Sequence, residues 1–235
     1  APPAPPPPPP AQTNLALIGR SLTCLEMLPE YKLGLPDTLL TLNLHCNNIS
    51  MLTGLSVLSQ LCDLNLSSNC IEIMDAAELS TLRKLKRLNL ASNVIRRGGG
   101  LSFLIQLVEL NLSHNRITSL GGLNQLTESH VLTELDLRDN CIVDLQELNG
   151  LGAVVHTLRT LQLRDSASST TTRTTTTTTG LSARHVRREG NVVCKRRGYV
   201  AAVRRLAPSA TLLDGTTMEM AEQREEEEEE VSIYS

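Results

Sequence analysis

Leucine recurs along this chain in one phrase. Residues 39–49 read LLTLNLHCNNI, 61–71 LCDLNLSSNCI, 85–95 LKRLNLASNVI, 107–117 LVELNLSHNRI and 132–142 LTELDLRDNCI. All five fit L-x-x-L-x-L-x-x-N-x-I. Their asparagines Asn47, Asn69, Asn93, Asn115 and Asn140 stand 22, 24, 22 and 25 residues apart. Such a period predicts stacked units, each too thin to bury its apolar face without its neighbours. Within a unit, the alternation around Leu42 and Leu44 predicts a strand with those leucines inward and Thr41, Asn43 and His45 outward. The asparagine is expected to turn inward and satisfy backbone groups of the bend, so that stacked copies form a ladder. Ile49 closes the layer. Leu52, Leu55 and Leu58 begin the opposite side, where the short period leaves room for about one helical or 3₁₀ turn.

By this phrase the chain is identified as a member of the short leucine-rich-repeat class. The implied fold is an α/β solenoid: an arc with a parallel sheet on its concave face, short helical or 3₁₀ turns on its convex face, and a C-terminal cap. Two worn copies flank the five. Leu158, Leu161 and Leu163 continue the pattern with Ser166 at the asparagine position, and Leu15, Leu17 and Leu22 give a first copy with Arg20 there. End copies are expected to be atypical, having one neighbour each. The organisation that follows is a Pro-rich disordered tail at 1–14, repeats at 15–165, a Thr-rich disordered insertion at 166–182, a cap at 183–215 and an acidic tail at 216–235.

Composition narrows the picture. With no Trp, one Phe and three Tyr, the core must be aliphatic. No apolar run is long enough to span a membrane, and no basic stretch followed by an apolar one marks a secretory signal. The six cysteines form no C-x-x-C pair and have no zinc-finger spacing with histidine, so reduced thiols are expected. The net charge of −3 argues against polyanion binding by the chain as a whole. Charge is nevertheless segregated. Arg184, Arg187, Arg188, Lys195, Arg196, Arg197, Arg204 and Arg205 lie in the cap, and Glu219, Glu222 and Glu225 through Glu230 follow it. A contact between acidic tail and basic cap is one expectation. Specific nucleic-acid binding is not expected, because the basic stretch lacks interleaved aromatics apart from Tyr199.

No catalytic motif is present. The histidines are scattered, Gly98–Gly100 lacks the Lys-Ser/Thr of a phosphate loop and reads as a flexible turn, and Asp75 and Glu78 read as solvated acids. No enzyme, metal or cofactor is expected. The candidate site is therefore the outward positions of the strands: Thr41, Asn43, His45, Asp63, Asn65, Arg87, Asn89, Glu109, Asn111, Glu134, Asp136, Arg138, Gln162 and Arg164. Their middle column, Asn43, Asn65, Asn89, Asn111, Asp136 and Gln162, is unusual, since strand interiors disfavour Asn and Asp. Two readings stand: a second ladder bonded between neighbouring strands, or the floor of a groove for a peptide or helix.

Residues 35–50, LPDTLLTLNLHCNNIS, resemble the opening full repeat of the leucine-rich-repeat and coiled-coil centrosomal proteins. The widened approach through Ser129, His130 and Val131 to Leu135-Asp136-Leu137 is similar to that family's late insertion. Asn191, Cys194, Gly198-Tyr199, Val203, Leu206, Pro208 and Leu212-Leu213-Asp214 match its capping motif, with Val192 where the family has Pro. The Thr run is foreign to the pattern, and the family's coiled coil is not seen after the cap. The resemblance implies a scaffold that binds other proteins in the cytoplasm, at the centrosome or centriole, with a role in centriole structure, spindle-pole organisation or cilium formation. A regulatory subunit of a protein phosphatase and a tubulin- or axoneme-associated adaptor are the alternatives.

Overall fold

A computed structural model describes residues 13–27, 38–127, 130–154, 156–164 and 190–234. The Pro-rich segment at 1–12, the Thr-rich run, Ser129, Ser166, Arg184, Arg187 and Arg188 lie outside the described residues. Among the described residues, nine strands form one open sheet in chain order: β1 (Asn14–Ala16), β2 (Thr41–Asn43), β3 (Asp63–Asn65), β4 (Arg87–Asn89), β5 (Glu109–Asn111), β6 (Glu134–Asp136), β7 (Thr160–Gln162), β8 (Leu212–Leu213) and β9 (Thr216–Thr217). Pairing is parallel from β1 to β8, and β9 turns back antiparallel. The register is that of the repeat, with Leu15, Leu42, Leu64, Leu88, Leu110, Leu135 and Leu161 in one row. The worn first copy is thus a true layer.

The opposite side carries 3₁₀ turns at Leu55–Val57, Gly121–Gln125 and Leu145–Val154 and a one-turn helix α1 (Ala76–Leu79). Leucines from both sides meet in a continuous aliphatic core, in which Leu42, Leu44, Ile49, Leu55 and Leu61 have no exposed area. Successive turns are stitched by side chains to backbone. Glu78 accepts from the N–H groups of Gly54 (3.1 Å) and Ser56 (3.0 Å), and Glu147 accepts from Leu120 (3.2 Å). Asp75 is exposed, as expected of a solvated acid, and also caps α1 through Ala77 N–H; the expectation at 78 is corrected, since Glu78 is half-buried and clasps the preceding repeat. Gly98–Gly100 is likewise no plain flexible turn. Gly100 has φ +78°, and a Cβ there would stand 2.6 Å from the Met74 carbonyl oxygen. Close approach of adjacent layers requires glycine at that position.

The inward asparagines form the expected ladder. Asn115 is fully buried; its Nδ2 donates to the carbonyls of Leu90 and Leu112, both at 2.9 Å, and its Oδ1 accepts from Ile95 N–H at 3.0 Å. Asn47, Asn69, Asn93 and Asn140 make the same kind of bond set. The sixth rung is Asn191. It donates to the Leu137 and Leu163 carbonyls and accepts from Ile142 N–H. Residues 165–189 therefore interrupt a repeat whose remaining halves, LRTLQLR and GNVV, join into the same phrase, with Val193 buried at the closing position. Asn191, placed in the cap by its sequence position, belongs to the last repeat.

The cap follows. Helix α2 (Tyr199–Leu206) buries Tyr199, Val200 and Val203. The Tyr199 hydroxyl donates to Asp214 Oδ2 at 2.9 Å, while Asp214 Oδ1 accepts from the N–H groups of Leu163 and Arg164, both at 2.7 Å. Helix α3 (Met218–Tyr234) starts packed, with Met218 and Ala221 buried. Glu222 pairs with Arg204 at 2.7 Å and Glu225 accepts from Val200 N–H at 3.1 Å. The expected acidic tail from 216 thus begins as part of the cap, and the anticipated contact of acidic and basic groups is present at Glu222 and Arg204.

Two outcomes follow. Asn191→Ala takes the side-chain partner from the Leu163 carbonyl and the Ile142 N–H, while the Leu137 carbonyl keeps Asn140, so it is expected to cost about 2 kcal/mol or more in chemical denaturation; Asn115→Ala, whose two carbonyls keep Asn93 and Asn140, is expected to cost less, and deletion of 165–189 is expected to leave the midpoint nearly unchanged. Burial, chiefly, raises the Tyr199 phenol well above its usual range. Its stabilising contribution is complete below pH about 10 and is lost as pH rises beyond that. Tyr199→Phe should be less stable at neutral pH yet lose less stability between pH 9 and 11.5 in denaturation at each pH.

Candidate functional site

The outer face of the sheet gathers most of the predicted residues. Asp63, Asn65, Arg87, Asn89, Glu109, Asn111, Glu134, Asp136 and Gln162 line one open depression of about 340 Å³, together with Thr160. Thr41 and Asn43 continue the same two columns onto β2. Strands of three residues hold two outward positions, so the third column falls beyond their ends. His45 bonds Ser67 Oγ at 2.8 Å, and Ser67 itself is buried. Arg138 folds back onto Asp136, and Arg164 stands 3.8 Å from Asp214 at the cap.

The middle column does not form a ladder between strands. Each oxygen is used within its own strand: the Oδ1 atoms of Asn43, Asn65, Asn89 and Asn111 accept from the N–H two residues on, at 3.0, 3.0, 3.0 and 2.9 Å. Asp136 does the same for Arg138 at 3.1 Å. This is an Asx turn, and it explains Asn in a strand position that otherwise disfavours it: the side chain ends each strand. With the oxygen committed, the orientation of the amide is fixed. The four Nδ2 groups have no partner among the described residues and remain as donors on consecutive strands.

The first column is charged. Arg87 holds Asp63 at 2.6 Å through one fork nitrogen, and that bond, before any other influence, raises the guanidinium above its ordinary range. Glu109 and Glu134 are paired by register on β5 and β6. Arg87 attracts Glu109 through space but turns its fork to Asp63. Among the described residues, no group of three His, Cys, Asp or Glu is placed to hold a metal ion, and no helix is long and apolar enough to cross a membrane.

Sequence reasoning missed Asn191 as a rung. A signal exists in the bend. The residue before each rung is left-handed: Cys46, Ser68, Ser92, His114 and Asp139 have φ of 54–60°, and Gly190 precedes Asn191 with φ +66°. Gly190-Asn191 is the pair best suited to that geometry.

Two family models match, described as leucine rich repeat over residues 37–95 and as leucine rich repeats in two copies over 105–150. No curated protein matches the chain. Among solved structures, an internalin (inlF) from Listeria monocytogenes is 20% identical with a TM-score of 0.55, covering 86% of this chain and 46% of that one. A Leptospira interrogans LRR protein is 22% identical with a TM-score of 0.54, covering 85% and 48%. TLR13, solved as a complex with ssRNA13, is 30% identical with a TM-score of 0.51, covering 63% and 21%. The chain spans less than half the length of each. The repeats are leucine-rich repeats and the fold is their solenoid, an architecture typical of non-catalytic interaction domains.

Asn89→Ala removes the bond to Ala91 N–H and is expected to cost about 1 kcal/mol in urea denaturation. Asn89→Asp keeps the bond, as Asp136 does, and should cost less than half of that; equal losses would show that the oxygen does not carry the turn.

Proposed function

We propose that this chain is a protein-binding scaffold that holds another protein on the outer face of its sheet. The observation that carries this reading is the row of amide donors on that face. Their oxygens are tied to the backbone, so the donors are already oriented, and a partner would lose little side-chain entropy in engaging them. The face also matches the surface that solenoids present for recognition. An RNA strand, the ligand in the TLR13 complex, fits less well, because Glu109 and Glu134 would repel its phosphates. The centrosomal or centriolar setting rests on the resemblance carried by residues 35–50 and by the capping residues.

Imaging the tagged chain beside a centriole marker tests the setting. A focus at the centriole is expected. A diffuse signal would remove the centrosomal placement and leave the binding reading standing. The latter predicts that Asn65→Ser, Asn89→Ser and Asn111→Ser together disperse the focus in a variant whose circular dichroism melt stays cooperative.

A further inference from the structure

The charge and the period of the sheet face describe what would cover it. Asp63 and Asp136 are each neutralised by an arginine, at 2.6 and 2.7 Å. Glu109 and Glu134 have no hydrogen-bond or ion-pair partner among the described residues and sit opposite one another on adjacent strands. Like charges in that position destabilise a sheet. Nothing in the fold depends on them, and a cation brought by a partner would relieve the repulsion. Beside them run the four amide donors of Asn43, Asn65, Asn89 and Asn111, one per strand, which call for acceptors at the same interval.

That interval is the spacing of strands, about 4.8 Å. The pitch of an α-helix, about 5.4 Å, comes close to it; over the four asparagines the mismatch accumulates to about 2 Å, within the reach of a side chain. Same-face side chains of an extended chain repeat at about 6.7 Å and drift by about 6 Å over the same row. We propose that the occupant is an α-helical segment of a partner protein lying across β2 to β6. It sets Gln or Asn once per turn on the amide row, with Lys or Arg beside them on Glu109 and Glu134. This rests on the reading that the sheet face binds a protein, and adds the chemistry of the bound element.

The test uses two phage-displayed peptide libraries, one on a helical scaffold and one linear, selected against the full chain. Winners are then titrated by fluorescence anisotropy against the unmodified protein, the Asn65→Ser/Asn89→Ser/Asn111→Ser variant and the Glu109→Gln/Glu134→Gln variant. Serine retains an acceptor for the turn and adds no charge; the glutamate changes sit on the surface and test the proposal even where the serine variant folds poorly. Expected winners come from the helical library and carry Gln or Asn at intervals of three or four with adjacent Lys or Arg. They lose at least tenfold affinity for the serine variant and about fivefold for the glutamine one. Winners that are linear, winners without basic residues, or no winner from either library would overturn the helix proposal. Linear winners that still weaken on the serine variant would leave the face as a binding surface. Winners indifferent to both variants would remove the face itself.

Discussion

One buried carboxamide per layer holds this solenoid together. At each bend the chain leaves the strand through a left-handed residue, a conformation that costs roughly 1–2 kcal/mol when it is Cys46, Ser68, Ser92 or His114. The bend also turns carbonyls of two consecutive layers toward a leucine core where no water waits. An asparagine answers both demands, because it alone among short side chains carries two donors and an acceptor in one plane. Asn93 bonds the Leu66 carbonyl of the layer below, the Leu90 carbonyl of its own and the Ile71 N–H. Each rung thus ties its layer to the previous one, and stability is passed along the arc by nearest neighbours.

That dependence explains how much was legible in the sequence. The layers, their register and the inward asparagines all follow from the repeated phrase, because each depends on residues within one period. The sixth rung does not. Ser166 stands at the expected distance from Leu163, while Asn191, 25 residues further, makes the bonds. A period counted along the chain cannot see a rung displaced by an insertion; the Gly190-Asn191 pair can, once the bend is known to be left-handed. Gly100 escaped for a similar reason: its role is an approach to Met74 in the previous layer, which its flanking sequence does not record.

The face of the sheet was legible in residue type and not in bonding. The periodicity places Asn43, Asn65, Asn89 and Asn111 outward, and they are outward. The residue types alone leave open bonds to neighbouring strands or bonds to a partner from outside. The oxygen instead bonds two residues ahead in the same strand, which the pattern N-x-[HSA] does not announce. This one local bond fixes the orientation of each amide and leaves its N–H groups as the unbonded donors. It therefore gives the face a chemical sense that its composition lacks.

The C-terminal end of the arc handles charge differently from its middle. At the cap, Asp214 accepts from two backbone N–H groups and from Tyr199, and the hydrogen bond from Arg204 holds the Glu222 carboxyl below its usual range. Asp214, Glu222 and Glu225 are each bonded within the fold. On β5 and β6 the opposite holds: two glutamates face each other, and Arg87, which attracts Glu109, is committed to Asp63. A solenoid whose layers are already tied from within by asparagine can carry such repulsion on its surface at small cost, since exposed like charges are worth only about 0.2–1 kcal/mol. The internal ladder thus relieves the charged outer column of a large part in stability, which leaves its charge pattern open to be set by whatever the face meets.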